Sequence, residues 1–297
     1  MVISITTGDG KTYADTQVYK PEESSFDLDH CCCKVGPHSL EGDLVDYHLA
    51  VQPIVRETKN AAATDGMDCT TEKGVGVDLH FHALVKPFRH GAGRTIFNDD
   101  EEMYSTWFCI PKMDVTGTIT LEGEEKTVHG DGYHDHRCMK LDDMKAWHHW
   151  IWGRQHFENY TVVIFDLVSG ERFVFVQVPL FAVYNKVQCK VEEEYLMEIT
   201  GENFPKVTHY IFENNGRKVD YRLTVKEELE GKDSYITFPK AMQELSDRHD
   251  AHPTYGRYLA EGEFSLTEDG RELLHQKGDL IYEFTYIGKS YKEHMET

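Results

Sequence analysis

The sequence predicts an all-β protein. Short runs of alternating apolar and polar residues recur between Gly, Asp and Asn turn signals along most of the 297 residues. Two Asx-Gly pairs stand between such runs, where two-residue hairpin turns belong. Helical spacing of apolar residues is scarce, and the strands are long enough to wrap into barrels or sandwiches rather than a parallel α/β sheet.

In chain order, the first well-defined strand is "GVGVDLHFHALV" (74–85), where Val75, Val77, Leu79, Phe81 and Ala83 share one face and Gly76, Asp78, His80 and His82 share the other. "VTGTITLEG" (115–123) and the long apolar run 160–184 follow, then "VTHYIFE" (207–213), "VDYRLTVKEEL" (219–229) and "DLIYEFTYIG" (279–288). Asn215-Gly216 and Asp269-Gly270 suit the positive φ angles of type I′ turns. One helix is expected in "KAMQELSDRH" (240–249), where Ala241, Met242 and Leu245 recur at helical spacing. A change in composition after the 160–184 run places a division near 183, giving domains 1–182 and 183–297.

The charge balance of 31 basic against 52 acidic residues, net −21, repels phosphate backbones and anionic lipid surfaces, so nucleic acid is not expected as a partner. No apolar run approaches the roughly 18–20 residues of a membrane helix. The start "MVISITTGDGKTY" lacks a basic segment, a long apolar stretch and a small-residue cleavage site, which points to a cytoplasmic protein. Seven cysteines, three of them adjacent at Cys31, Cys32 and Cys33, make a poor disulfide framework and read as reduced thiols. Without a basic or amphipathic helix, membrane contact would be transient rather than a stable anchor.

The stretch "GDGYHDHRCMKL" (130–141) concentrates chemistry. On a strand, His134 and His136 point one way while Tyr133 and Asp135 point the other. His134 and His136 form one H-x-H pair and His80 and His82 a second, so a metal cluster is one reading, a polar strand face is another, and an acid–base site is a third. The last two outweigh the first, and no metal or cofactor is expected. Trp107, Trp147, Trp150 and Trp152 are all the tryptophans of the chain and cluster in sequence around Asp135. Burial beside such rings would disfavour the ionised carboxylate and make Asp135 a proton donor, and ring faces would stabilise a developing carbocation. The chain has no Walker ending after its glycines, no G-x-S-x-G, no C-x-x-C and no H-E-x-x-H.

The run from "YSTWFCIPKMDVTGTI" through "GYHDH" to "WIWGR" and "YTVVIFD", with the closing "YGRYLAEGEFSLTEDGRELLHQKGDLIYEFTYIG", resembles the carotenoid 1,2-hydratase (hydroxyneurosporene synthase) family. That superfamily includes AttH-like proteins and fungal Diels–Alderases. The resemblance implies two lipocalin-like (calycin) β domains in tandem with a hydrophobic cavity, and a cofactor-independent reaction. It maps the family's acid onto Asp135, with Tyr133 beside it, and the tryptophan upstream onto Trp107. Tyr104 and the W-x-W-G-R residues Trp150, Trp152 and Arg154 become substrate-binding positions. Two positions depart from the pattern: Ser105 stands in place of a histidine, and His136 is followed by Arg137 and Cys138.

The leading expectation is acid-catalysed hydration of a C=C bond in a hydrophobic isoprenoid or polyene. Asp135 protonates the alkene, Trp107, Trp150 or Tyr133 stabilises the cation, and His134 or His136 steers the water. Cyclisation or a pericyclic reaction in the same cavity is the sibling expectation. A non-catalytic carrier of a hydrophobic small molecule is the third.

Overall fold

In a computed structural model, residues 1–27, 29–55, 71–97, 103–140, 146–158, 160–185, 188–191, 195–200 and 207–287 are described. The chain is all-β. A small hairpin pairs β1 (Val2–Thr6) with β2 (Thr12–Thr16). An eight-stranded sheet follows, built from β3 (Ser24–Phe26), β4 (Cys31–Val35), β5 (His38–Gly42), β6 (Asp46–Val51), β7 (Val75–Ala83), β8 (Phe88–Ile96), β9 (Tyr104–Leu121) and β10 (Glu124–Met139). Its order is β10-β9-β7-β6-β5-β4-β3, with β8 also paired to β9.

The second large sheet is nine-stranded. It contains β11 (Trp147–His156), β12 (Tyr160–Ser169), β13 (Gln177–Asn185), β14 (Gln188–Val191), β15 (Tyr195–Thr200), β16 (Val207–Asn214), β17 (Arg217–Asp233), β18 (Thr254–Glu268) and β19 (Arg271–Tyr286). The order β14-β13-β12-β11-β19-β18-β17-β16-β15 places β11, from the start of the sheet's sequence, beside β19 at its end. Position 183 lies within β13 of this sheet.

The long run 160–184 resolves into two strands joined through a 3-10 turn at Glu171–Phe173. Both Asx-Gly turns form as the sequence predicts, with positive φ at Asn215 and Gly216 and at Asp269 and Gly270. The expected helix runs Lys240–Arg248, preceded by a single turn at Ser234–Thr237. Among the described residues no helix is long and apolar enough to cross a membrane. Cys31, Cys32, Cys33, Cys109 and Cys138 form no disulfide among the described residues.

The chain forms two compact units. The first comprises Met1–Pro87 and Lys112–His134, the second Phe88–Pro111 and Asp135–Thr297. Strands β9 and β10 therefore contribute to both, and the boundary in β10 falls between His134 and Asp135.

In the first unit the alternation of β7 is as predicted from Val77 onward, with Asp78, His80 and His82 exposed. Tyr47, Val51, Val75, Val77, Met113, Val115 and Leu121 are its buried apolar residues on β6, β7 and β9. In the second unit, alternate residues of β17, β18 and β19 build the core: Val219, Tyr221 and Leu223, then Tyr258, Ala260, Phe264 and Leu266, then Leu280, Tyr282, Phe284 and Tyr286. Ile151 of β11 and Val162 and Ile164 of β12 join them. Burial of large apolar side chains at roughly 25 cal/mol per Å² is the main drive holding this sheet to its partners.

Candidate active site

The site grows from the face of β11 and β12 that points away from that core. Antiparallel partners share a face, and Trp150 pairs with Leu167, Trp152 with Phe165 and Arg154 with Val163. Their neighbours Ile151 and Ile164 point into the core. A register shift between Trp147 and His149 adds one residue to β11, so Trp147 pairs with Ser169 and joins the face of Trp150 and Trp152. Trp107 of β9 packs on Phe165 at 5.2 Å between ring centroids, and edge-on against Phe88 at 6.0 Å. The second unit thus gathers all four tryptophans on one side of its sheet.

Three polar side chains are set among these rings. Trp107, only 3% exposed, donates its Nε1 hydrogen to Asp135 Oδ2 at 3.2 Å. Asp135 itself is exposed, which corrects the expectation of a buried carboxyl. The reason is its strand position: it touches the edge of the indole at the rim of the aromatic face rather than lying beneath the rings. The Arg137 guanidinium lies 5.8 Å from the Trp147 ring and 5.7 Å from that of Trp150. Arg154 lies 5.5 Å from the Trp152 ring. All are within cation–π range.

Arg137 also donates from Nε to Ser105 Oγ at 3.5 Å, the outer limit of a hydrogen bond. Ser105 and Arg137 both depart from the pattern of the family that the sequence resembles, and here they are neighbours. Trp147 is 2% exposed, and its Nε1 donor finds no acceptor among the described residues. A buried donor left unsatisfied costs about 1–3 kcal/mol.

The remaining predicted residues take separate places. Tyr104 is half-buried under the Arg94 guanidinium, 4.5 Å from its ring centre. His136 is exposed and 5.8 Å from Phe108. Tyr133 and His134 belong to the first unit; both are half-buried, and the His134 ring lies 4.7 Å from Tyr47. In the other H-x-H pair, His80 lies beside His48 and Asp78, and His82 bonds Asp46.

Sequence reasoning missed the polar groups on the core side of the same two strands. Asp166 of β12 is 1% exposed and is held by Gln177 Nε2, at 2.9 and 2.8 Å from its two oxygens, and by the Tyr210 hydroxyl at 3.3 Å. Burial pushes its carboxyl up to about 6, against the opposing pull of those hydrogen bonds. Gln155 of β11 accepts from the Tyr221 hydroxyl at 2.9 Å and donates to the carbonyls of Gly278 at 2.7 Å and Gly262 at 3.3 Å. An aspartate inside the apolar run "VVIFDLV" was the available signal for the first of these.

The sequence matches no family profile and no curated protein sequence. Its fold does match solved structures. A candidate AttH from Nitrosomonas europaea superposes with a TM-score of 0.54 at 12% identity, over 94% of this chain and 78% of that one. Kievitone hydratase from Nectria haematococca gives 0.51 at 14% identity, over 95% and 76%. CghA with Sch210972 gives 0.61 at 12% identity, over 97% and 79%. At these identities the likeness is one of fold: two antiparallel β units of the kind these proteins share.

Proposed function

We propose that the chain is a cofactor-independent enzyme that binds a hydrophobic polyene or isoprenoid on its tryptophan face and adds water across a C=C bond. The observation that carries this reading is the Trp107–Asp135 hydrogen bond at 3.2 Å, an acid fixed to the edge of an aromatic wall. The fold likeness to a protein named a hydratase supports it.

In this reading the substrate supplies the desolvation that the free chain lacks. An apolar chain laid over the tryptophans displaces water from the exposed Asp135 carboxyl. The carboxylic acid transfers its proton to one alkene carbon, and the positive charge on the other rests against the faces of Trp107 and Trp150. Water then attacks the cation and returns its proton to Asp135. The balance is one alkene and one water consumed, one alcohol formed. Arg137 suits an oxygen already present on the substrate, while Tyr104, Trp152 and Arg154 extend the binding face.

Cyclisation on the same face is the second reading, favoured by the likeness to CghA. One experiment separates the readings. The purified chain is incubated with isoprenoid and polyene substrates in deuterated water and the products are followed by mass, with Asp135→Asn as control. Gain of one water with one carbon-bound deuterium, absent in the variant, is the expected result. A new product of unchanged mass would replace hydration with cyclisation. Recovery of only unchanged, bound ligand would overturn the enzyme reading in favour of a carrier.

A further inference from the structure

We propose that the exposed face of the eight-stranded sheet in the first unit binds one divalent transition-metal ion through His48, Asp78 and His80. The alternation of two strands creates the arrangement. On β6, Asp46 and His48 are two residues apart, and on β7, Asp78, His80 and His82 are each two apart, so each set projects from one side of its strand. The register pairs Asp46 with His82 and His48 with His80. Cross-strand pairing thereby brings two imidazoles and a carboxylate together, with no loop involved.

The donor atoms converge. His48 Nε2 is 3.0 Å from Asp78 Oδ1, and His80 Nε2 is 3.9 Å from the same oxygen. The two rings are stacked, 4.4 Å apart and 5° from parallel. The three ligand atoms all lie within 4.8 Å of one another. A tetrahedral zinc ion with bonds of about 2.0–2.1 Å holds its ligand atoms about 3.3 Å apart, between the two distances observed to Asp78. His48 is half-buried and the other two are exposed, so the two imidazoles can tilt from their parallel stack toward one ion without repacking the sheet.

The alternative is a solvated polar face, and this face does carry two plain pairs: His82 with Asp46 at 2.7 Å and His129 with Asp114 at 2.7 Å. Each is one imidazole on one carboxylate. The trio differs because two imidazoles converge on a single oxygen, an arrangement that exposed ion pairing alone does not reward. Imidazole nitrogens with one carboxylate select zinc, nickel, copper or cobalt over magnesium and calcium, and water fills the open position. The ion would clamp β6 to β7 and stabilise the first unit by mass action.

The test uses the full chain after chelation and dialysis. Zinc is titrated by calorimetry, cobalt by its visible absorption, and the thermal midpoint is read with and without zinc. One saturable equivalent and a raised midpoint are expected. His48→Gln and His80→Gln should each weaken that site by at least about tenfold, with Asp78→Asn as an isosteric third probe and His129→Gln unchanged. Circular dichroism checks that each variant is folded, and the three independent variants keep the test decisive if one is not. No saturable equivalent in the parent chain, or variants at 48 and 80 that titrate like the parent or like His129→Gln, would overturn the proposal.

Discussion

Trp107 Nε1 stands 3.2 Å from Asp135 Oδ2, so a nearly buried indole and an exposed carboxylate share one hydrogen bond. The ring and the N–H have separable roles. Trp107→Phe keeps an aromatic surface against Phe165 and Phe88 but removes the donor. The acceptor is exposed, so the lost bond is worth about 1 kcal/mol, and the thermal midpoint should fall by only a few degrees. Trp107→Ala also opens a cavity and should cost about 3–5 kcal/mol. In the deuterium assay, Trp107→Phe should slow turnover well beyond its effect on stability. Unchanged turnover in a folded Trp107→Phe protein would remove this hydrogen bond from the mechanism.

Asp166 makes stability depend on pH in a stated direction. Its carboxyl is raised from 3.8 to about 6 in the folded chain, chiefly by burial. Below about pH 3 the group is protonated in both states and imposes no penalty. As pH rises through 4 to 6 the unfolded chain ionises while the folded chain resists, and stability falls by on the order of 3 kcal/mol before levelling off. Asp166→Asn keeps one acceptor oxygen for the Gln177 and Tyr210 donors and cannot ionise. Denaturant midpoints at pH 4.5 and 7.5 should therefore differ less in the variant, with the variant gaining at the higher pH. Equal pH dependence in both proteins would contradict the burial argument.

Local chemistry explains what was legible in the sequence. The Asx-Gly turns and the helix from Lys240 follow from backbone preferences of a few residues, and Trp150 and Trp152 share a face because a strand repeats every two. What failed depends on pairing. Trp147 reaches the same face only through a bulge that spacing does not announce. The turn at Glu122-Gly123 is hidden because glutamate is an unusual residue at φ 50°. Alternation assigns Asp135 to a face but not to a depth, since depth depends on which distant segment covers that part of the strand. His48 was invisible as a partner of His80 because thirty-odd residues separate them and only the β6–β7 register joins them.

Gly117 is the tightest crossing between β7 and β9. It pairs with Leu79 at φ 145°, and a Cβ there would lie 2.0 Å from the Asp78 carbonyl oxygen and 2.9 Å from Leu79 Cα. Both obstacles are backbone, so the strands must separate. Gly117→Ala should destabilise the chain by about 2–4 kcal/mol. Gly130→Ala, on the adjacent β10 with nothing within 4 Å of the added carbon, is the control and should change stability by less than about 1 kcal/mol. Comparable melting curves for the two variants would show that β7 yields at Asp78.

Gln155 occupies a space made by two missing side chains. Gly262 of β18 and Gly278 of β19 are directly paired, and a Cβ on Gly262 would lie 2.1 Å from Gln155 Oε1. The amide fills that gap, reaches both glycine carbonyls and receives the Tyr221 hydroxyl. Gln155→Leu has nearly the same volume but orphans a fully buried phenol, which should cost about 2–4 kcal/mol. Tyr221→Phe leaves Oε1 one donor short and should cost about 1 kcal/mol. Combined, the two changes remove both ends of the bond, and the phenol is no longer there to be orphaned. The double variant should therefore be more stable than the sum of the single losses predicts, by roughly 1 kcal/mol or more. Urea unfolding of the four proteins measures this coupling, and strict additivity would show that Gln155 acts by filling space and not by pairing with Tyr221.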